Sequence, residues 1–302
     1  NIFNTTTTTQ FFILGCICSS LSAILGGSTF VFTRSLINNF DPLFISYFRY
    51  GLTGLIFLSI FFLGFYRVKF KKIDLLLLSI IGIFMFTLFP IFMALGLEIT
   101  TSSRAGLLYA SMPINTIIIA CLFRVESFTF HKLIAVIIAF IGVFFCLSEF
   151  IDPSAPKPLK GDILMSLGVL SASVFTVFSG NFLKKYENIN VLIFTILIGS
   201  LSTFFISMLY GKHIPDISNF SNTAIIYFIL LIVPGGVLMM FLWGKALQMI
   251  TPTQASITLG FNPISATILG NIFLNEVISQ RIFIAIGMII LAIIISNKKI
   301  KN

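Results

Sequence analysis

This chain reads as an all-α integral membrane protein in which ten transmembrane helices form two five-helix repeats of inverted topology. Three features carry that expectation: an apolar composition, ten apolar runs of bilayer length, and a gapless internal similarity at an offset of 150 residues. Of the 302 residues 57% are hydrophobic and 10% charged, too little polar material to coat a water-soluble globule. Most of the surface must therefore meet lipid. The net charge of +9 raises the question of a nucleic-acid partner, but the 19 Lys and Arg lie thinly between apolar runs and build no basic face. They read as topology signals.

A bilayer core takes about 20 apolar residues of helix. Such runs lie near 11–33, 43–64, 73–97, 105–123, 129–148, 161–182, 189–210, 222–248, 253–274 and 279–296. The first is too long, and lacks the basic lead-in, for a cleaved signal peptide, so it is taken as a span. The Pro-rich segment 149–160 (EFIDPSAPKPLK) falls at the midpoint and separates a repeat over 11–148 from one over 161–297. With the N-terminus inside, alternate loops put twelve Lys and Arg on the cytoplasmic side and six opposite, with Arg49 inside the second span. Both termini are thus expected in the cytoplasm, in a multi-pass protein of the inner or plasma membrane.

The repeat is read from Phe92–Ser148 set against Leu242–Lys298. Leu97 faces Leu247, Thr101 faces Thr251, Ala105 faces Ala255, Pro113 faces Pro263 and Glu126 faces Glu276. Each half carries Ala-x7-Pro-x12-Glu. Five spans per half insert the two copies upside down relative to each other, an architecture that lets one midplane site face each side in turn. Arg124 beside Glu126 on the inside and Arg281 near Glu276 on the outside agree with that inversion.

Pro113 and Pro263 lie mid-span and cannot donate to the carbonyls of Tyr109 and Leu259, so two bent helices should meet near the pseudo-symmetry axis. Freed carbonyls are tolerated at membrane depth only inside protein or beside a wet cavity, which points to a substrate path; shaping of helix packing is the other reading. The candidate substrate-binding set is therefore Tyr109, Ser111, Pro113, Asn115, Gln254, Asn262, Pro263 and Ser265 around the bends, with Arg49 and Trp243. Arg49 is the deepest charge, though it lies close enough to its span's end to snorkel outward. Glu126 and Glu276 precede Thr129 and Ser279, and are expected to serve the positive N-terminus of the helix that follows each. The pairs Thr116 with Ala120 and Ala266 with Gly270 read as close helix contacts.

No acid is expected at midplane, which disfavours an exporter trading organic cations for protons and favours a neutral, zwitterionic or anionic solute. Cys16, Cys18, Cys121 and Cys146 sit in apolar runs as small hydrophobes, without metal-ligand spacing. His131 and His213 lie at segment ends, and no H-E-x-x-H or paired-ligand motif is present. No cofactor, metal or catalytic residue is therefore assigned. The expected partners are the lipid bilayer and a small-molecule substrate, with no nucleic acid; a homodimer is compatible.

Ser22-Ala23-Ile24-Leu25-Gly26-Gly27-Ser28, then Ala94-Leu95 through Ala105, Pro113 and Glu126, then Ala246-Leu247 through Ala255, Pro263 and Glu276, resemble the EamA-type family of the drug/metabolite transporter superfamily. The resemblance spans nearly the whole chain. It implies a central cavity flanked by the third, fourth, eighth and ninth helices, and transport of amino acids and similar metabolites. Gly26-Gly27 stands where the family commonly has an aromatic residue before glycine. A membrane scaffold or sensor and an exporter of other drug-like compounds are the alternatives.

Overall fold

The computed structural model describes residues 2–63, 69–147, 156–211, 215, 220–276 and 280–296, and these form helices and short connectors. In chain order they are α1 (Ile2–Ile37), α2 (Pro42–Leu63), α3 (Lys72–Leu97), α4 (Ser102–Leu122), α5 (Phe130–Leu147), α6 (Pro158–Tyr186), α7 (Asn188–Tyr210), α8 (Asn222–Met249), α9 (Pro252–Leu274) and α10 (Arg281–Ser296). Among the described residues eight of these are long and apolar enough to cross a membrane: α1 to α4 and α6 to α9. The apolar helices α5 and α10 are shorter, and they pack side by side. Apolar residues such as Phe62, Leu122 and Leu209 are exposed, while Thr53, Thr195 and Ser173 are buried. That distribution suits a lipid solvent, in which polar groups turn inward.

Two boundaries differ from the sequence reading. α1 continues through Arg34 to Ile37, because nothing between Thr33 and Ile37 breaks a helix. α6 starts at Pro158, inside the segment assigned to the connector, since proline's missing N–H costs nothing in a first turn. Residue 148, residues 149–155 of that connector, His213 and Ser279 lie outside the described residues.

The packing pattern maps onto itself when the first five helices are exchanged for the last five. α1 packs on α8 and α9, as α6 packs on α3 and α4; α2 packs on α8, as α7 packs on α3. α2 with α7, α4 with α9, and α5 with α10 are self-paired under the exchange. Helix ends also sort into two groups. At one end Asp74 meets Lys185 and Tyr186, Gln248 donates to the Leu183 carbonyl, and Glu126 pairs with Lys132. At the other, Arg34 meets Glu276, Arg104 pairs with Asp162, and Phe40 packs on Phe220.

Local signals repeat as well. Thr101 and Thr251 are both extended N-cap residues whose hydroxyls accept from the backbone N–H three residues on, at Arg104 and Gln254. Gln254 completes a capping box by accepting from the Thr251 N–H at 3.1 Å. Thr251→Ala is expected to cost about 1 kcal/mol, read as a lower melting temperature of the purified protein in detergent. An unchanged melting temperature would mean that the cap contributes nothing.

Among the described residues neither glutamate accepts from the N-terminal backbone of the helix that follows it, although Glu126 pairs with Lys132 in the first turn of α5. Each bonds instead to the N-terminus of the bent helix in the other half: Glu126 accepts from the Thr253 N–H at 2.8 Å, and Glu276 from the N–H groups of Ser102 and Ser103 at 2.9 and 3.1 Å. The sequence reading placed these carboxylates at helix N-termini, and the N-termini they bond to belong to distant helices. The positive end of α4 or α9 lies closer to the opposite half's turn, and a carboxylate satisfies the orphan donors there.

Candidate functional site: a central cavity around Arg49

Both α3 and α8 change from α to π geometry near their middles, over Phe84–Leu88 and Val233–Leu238. A π turn breaks the regular i−4 bonding, leaving carbonyls that need other donors in a medium without water. The helix packed against each one supplies them. Thr203 on α7 donates to the Phe86 carbonyl at 3.1 Å, and Thr53 on α2 reaches the Ile232 carbonyl at 3.4 Å. In the second copy Arg49 adds a charged donor: its Nη2 lies 2.6 Å from the Gly235 carbonyl.

A cavity opens beside that contact. Arg49 on α2, Tyr109 on α4, and Trp243 and Asn262 on α8 and α9 line it, with Ser22, Gly26 and Thr29 on the face presented by α1. Met85, Phe89 and Met239 complete much of its apolar wall. Its free volume is about 20 Å³, room on the scale of a single water. Ser22 is spent on the Met239 carbonyl and Thr29 on the Gly26 carbonyl. Arg49 and Asn262 are not fully spent: each is at most 1% exposed, yet Nε and Nη1 of Arg49 and both amide atoms of Asn262 have no hydrogen-bond partner among the described residues. The Arg49 guanidinium lies 4.7 Å from the Tyr50 ring centre, a cation–π contact that partly offsets its burial.

The model of the EamA-like transporter family matches residues 13–148 and 159–298, one copy on each half. The chain belongs to the EamA-like transporter family. Among its relatives, an uncharacterized transporter of Archaeoglobus fulgidus is 27% identical, with 93% of this chain and 97% of that protein covered. The uncharacterized transporter YdfC of Bacillus subtilis is 24% identical, covering 86% and 83%. A solved crystal structure superposes with a TM-score of 0.73 over 96% of both chains at 14% identity, a likeness of fold. This is therefore a multi-pass membrane transporter, embedded in the bilayer.

In this EamA protein four of the ten residues singled out from the sequence meet at the cavity: Arg49, Tyr109, Trp243 and Asn262. The other six do not line it. Ser111 donates to the Leu108 carbonyl, Ser265 to the Asn262 carbonyl, and Gln254 belongs to the α9 cap. Asn115 is half-buried further along α4. Pro113 and Pro263 are buried and stand just after the irregularities at Ala110–Ser111 and Thr258–Gly260. The irregularities fall at matching places in the two copies, just before the prolines, and the cavity wall is left to Tyr109, Leu259 and Asn262. Arg49 does not snorkel, because the π-segment carbonyl holds it inside. Sequence reasoning missed α1, whose Ser22, Gly26 and Thr29 were legible as a small and polar stripe at spacings of four and three on one helical face.

Proposed function

We propose that this transporter is a secondary carrier of small metabolites, amino-acid-like and neutral, zwitterionic or anionic, working by alternating access around the Arg49 cavity. Ten spans arranged as inverted five-helix repeats over 11–148 and 161–297, joined by 149–160, would give the two halves interchangeable shapes. The double family match, the self-mapping packing and the two groups of helix ends support that arrangement. The excess of Lys and Arg on one side supports cytoplasmic termini, and a place in the inner or plasma membrane.

One observation carries the reading most directly: a fully buried, incompletely bonded Arg49 lies in a cavity where the helices of both halves converge. A scaffold would need only the bond from Arg49 to the Gly235 carbonyl, not the further donors left over. A cavity of this volume must widen before it admits a metabolite, as alternation between two shapes requires. Counterflow tests it: proteoliposomes preloaded with unlabelled amino acids, organic acids or sugars should accumulate the radiolabelled counterpart of at least one above protein-free vesicles. No accumulation for any of the three classes would overturn the carrier reading.

A further inference from the structure

We propose that the Arg49 cavity recognises the carboxylate of a small organic anion with an apolar body; the proposal rests on reading that cavity as the substrate site. A guanidinium carries five N–H donors in one plane. Only one is engaged, on the Gly235 carbonyl. Whichever Nη2 hydrogen is used, one two-hydrogen edge of the plane stays open, either Nε with Nη2 or Nη1 with Nη2. That edge matches the two oxygens of a carboxylate.

The charge balance points the same way. α2 has no acidic residue, and the carboxylates of Asp74, Glu126, Asp162 and Glu276 are each committed to other partners. No ion pair to Arg49 is present among the described residues; a buried cation in that state is costly, and a ligand anion removes that cost on arrival. One cation suits a monoanion better than a phosphate dianion, and no lysine lines the cavity. Asn262, contributed by the other half, offers a free amide N–H and a free carbonyl to a second polar group of the ligand. Trp243 and Tyr109, which also line the cavity, offer aromatic surface to its body. Among the described residues no acid lines the cavity to receive an ammonium, so the carboxylate is the group being read.

Trp243 is the only tryptophan in the chain, so its emission reports on this cavity. Purified full-length protein in nanodiscs would be titrated with 3-phenylpropionate, L-phenylalanine, 3-phenylpropionamide, phenethylamine and chloride. The two carboxylates should change the emission saturably, while the amide, the amine and chloride should not. Arg49→Lys should weaken 3-phenylpropionate by about tenfold or more, because an ammonium keeps the charge but loses the planar fork. Amide binding equal to that of the acid, displacement of the acid by chloride, or no response to either carboxylate would each overturn the proposal. Should Arg49→Lys not fold, Asn262→Asp places a competing carboxylate in the cavity and should abolish binding of the acid; unchanged binding would count against the idea.

Counterflow of labelled 3-phenylpropionate separates the two readings. Binding without counterflow would remove the carrier function and leave carboxylate recognition standing. Counterflow of neutral solutes that is indifferent to Arg49→Lys would do the reverse.

Discussion

Glu276→Ala is expected to lower stability by about 3–5 kcal/mol, the scale seen when one partner of a buried charged cluster is removed. The side chain is 3% exposed and accepts four hydrogen bonds, from the N–H and hydroxyl of Ser102 and of Ser103, the hydroxyl contacts both being 2.7 Å. Arg34 lies 3.6 Å from the same carboxylate. Alanine would strand two backbone donors at the start of α4 and two hydroxyls away from water. Glu276→Gln should lose less, since one oxygen remains as an acceptor while the new amide faces donors. Glu126→Ala should also lose less than Glu276→Ala, because Glu126 serves one N–H of α9 together with Lys132. Thermal unfolding of the three variants in detergent gives the ranking. If Glu276→Ala melted with the parent protein, the cross-half cap would not be holding α4 in place.

The same pair of glutamates shows how far the sequence carries and where it stops. Their spacing behind Ala105, Pro113, Ala255 and Pro263 was visible as a repeat, and so was the alignment of Thr101 with Thr251, though the sequence reading did not assign these two threonines as caps. Which helix each carboxylate serves depends on how two distant segments approach, and local spacing holds no record of that. The π segments were hidden for a similar reason. FMFTL and VPGGVL contain ordinary membrane residues, and their geometry is held by Thr203, Thr53 and Arg49 from other helices. Arg49 was conspicuous as a charge in an apolar run, yet only the Gly235 carbonyl distinguishes an inward-held guanidinium from a snorkelling one. The cavity's polar chemistry also breaks the repeat: Asn262 corresponds to Met112 at the offset of 150, so no internal symmetry could flag it.

Gly27→Ala is expected to destabilise the protein by about 3 kcal/mol or more, at the upper end of overpacking effects, and to cost the cavity its Asn262. A methyl group at position 27 would lie 1.9 Å from the Ser265 hydroxyl, 2.3 Å from the Asn262 carbonyl oxygen and 3.0 Å from the Ala266 nitrogen. Ser265 could rotate away, but the other two are backbone, so relief requires α1 and α9 to separate. At Gly26 the added carbon would come within 2.7 Å of the Asn262 side-chain oxygen. The paired glycines are thus what lets α9 bring Asn262 against α1. Gly51→Ala is the control, since a methyl group there meets nothing within 4 Å. In mid-helix that change should be neutral or stabilising by up to about 1 kcal/mol. Melting temperatures in detergent compare the two, and the Trp243 emission response to 3-phenylpropionate should weaken in Gly27→Ala and persist in Gly51→Ala. Equal behaviour of the two variants would mean that α1 and α9 do not need the close approach from which the Asn262 side of the cavity is built.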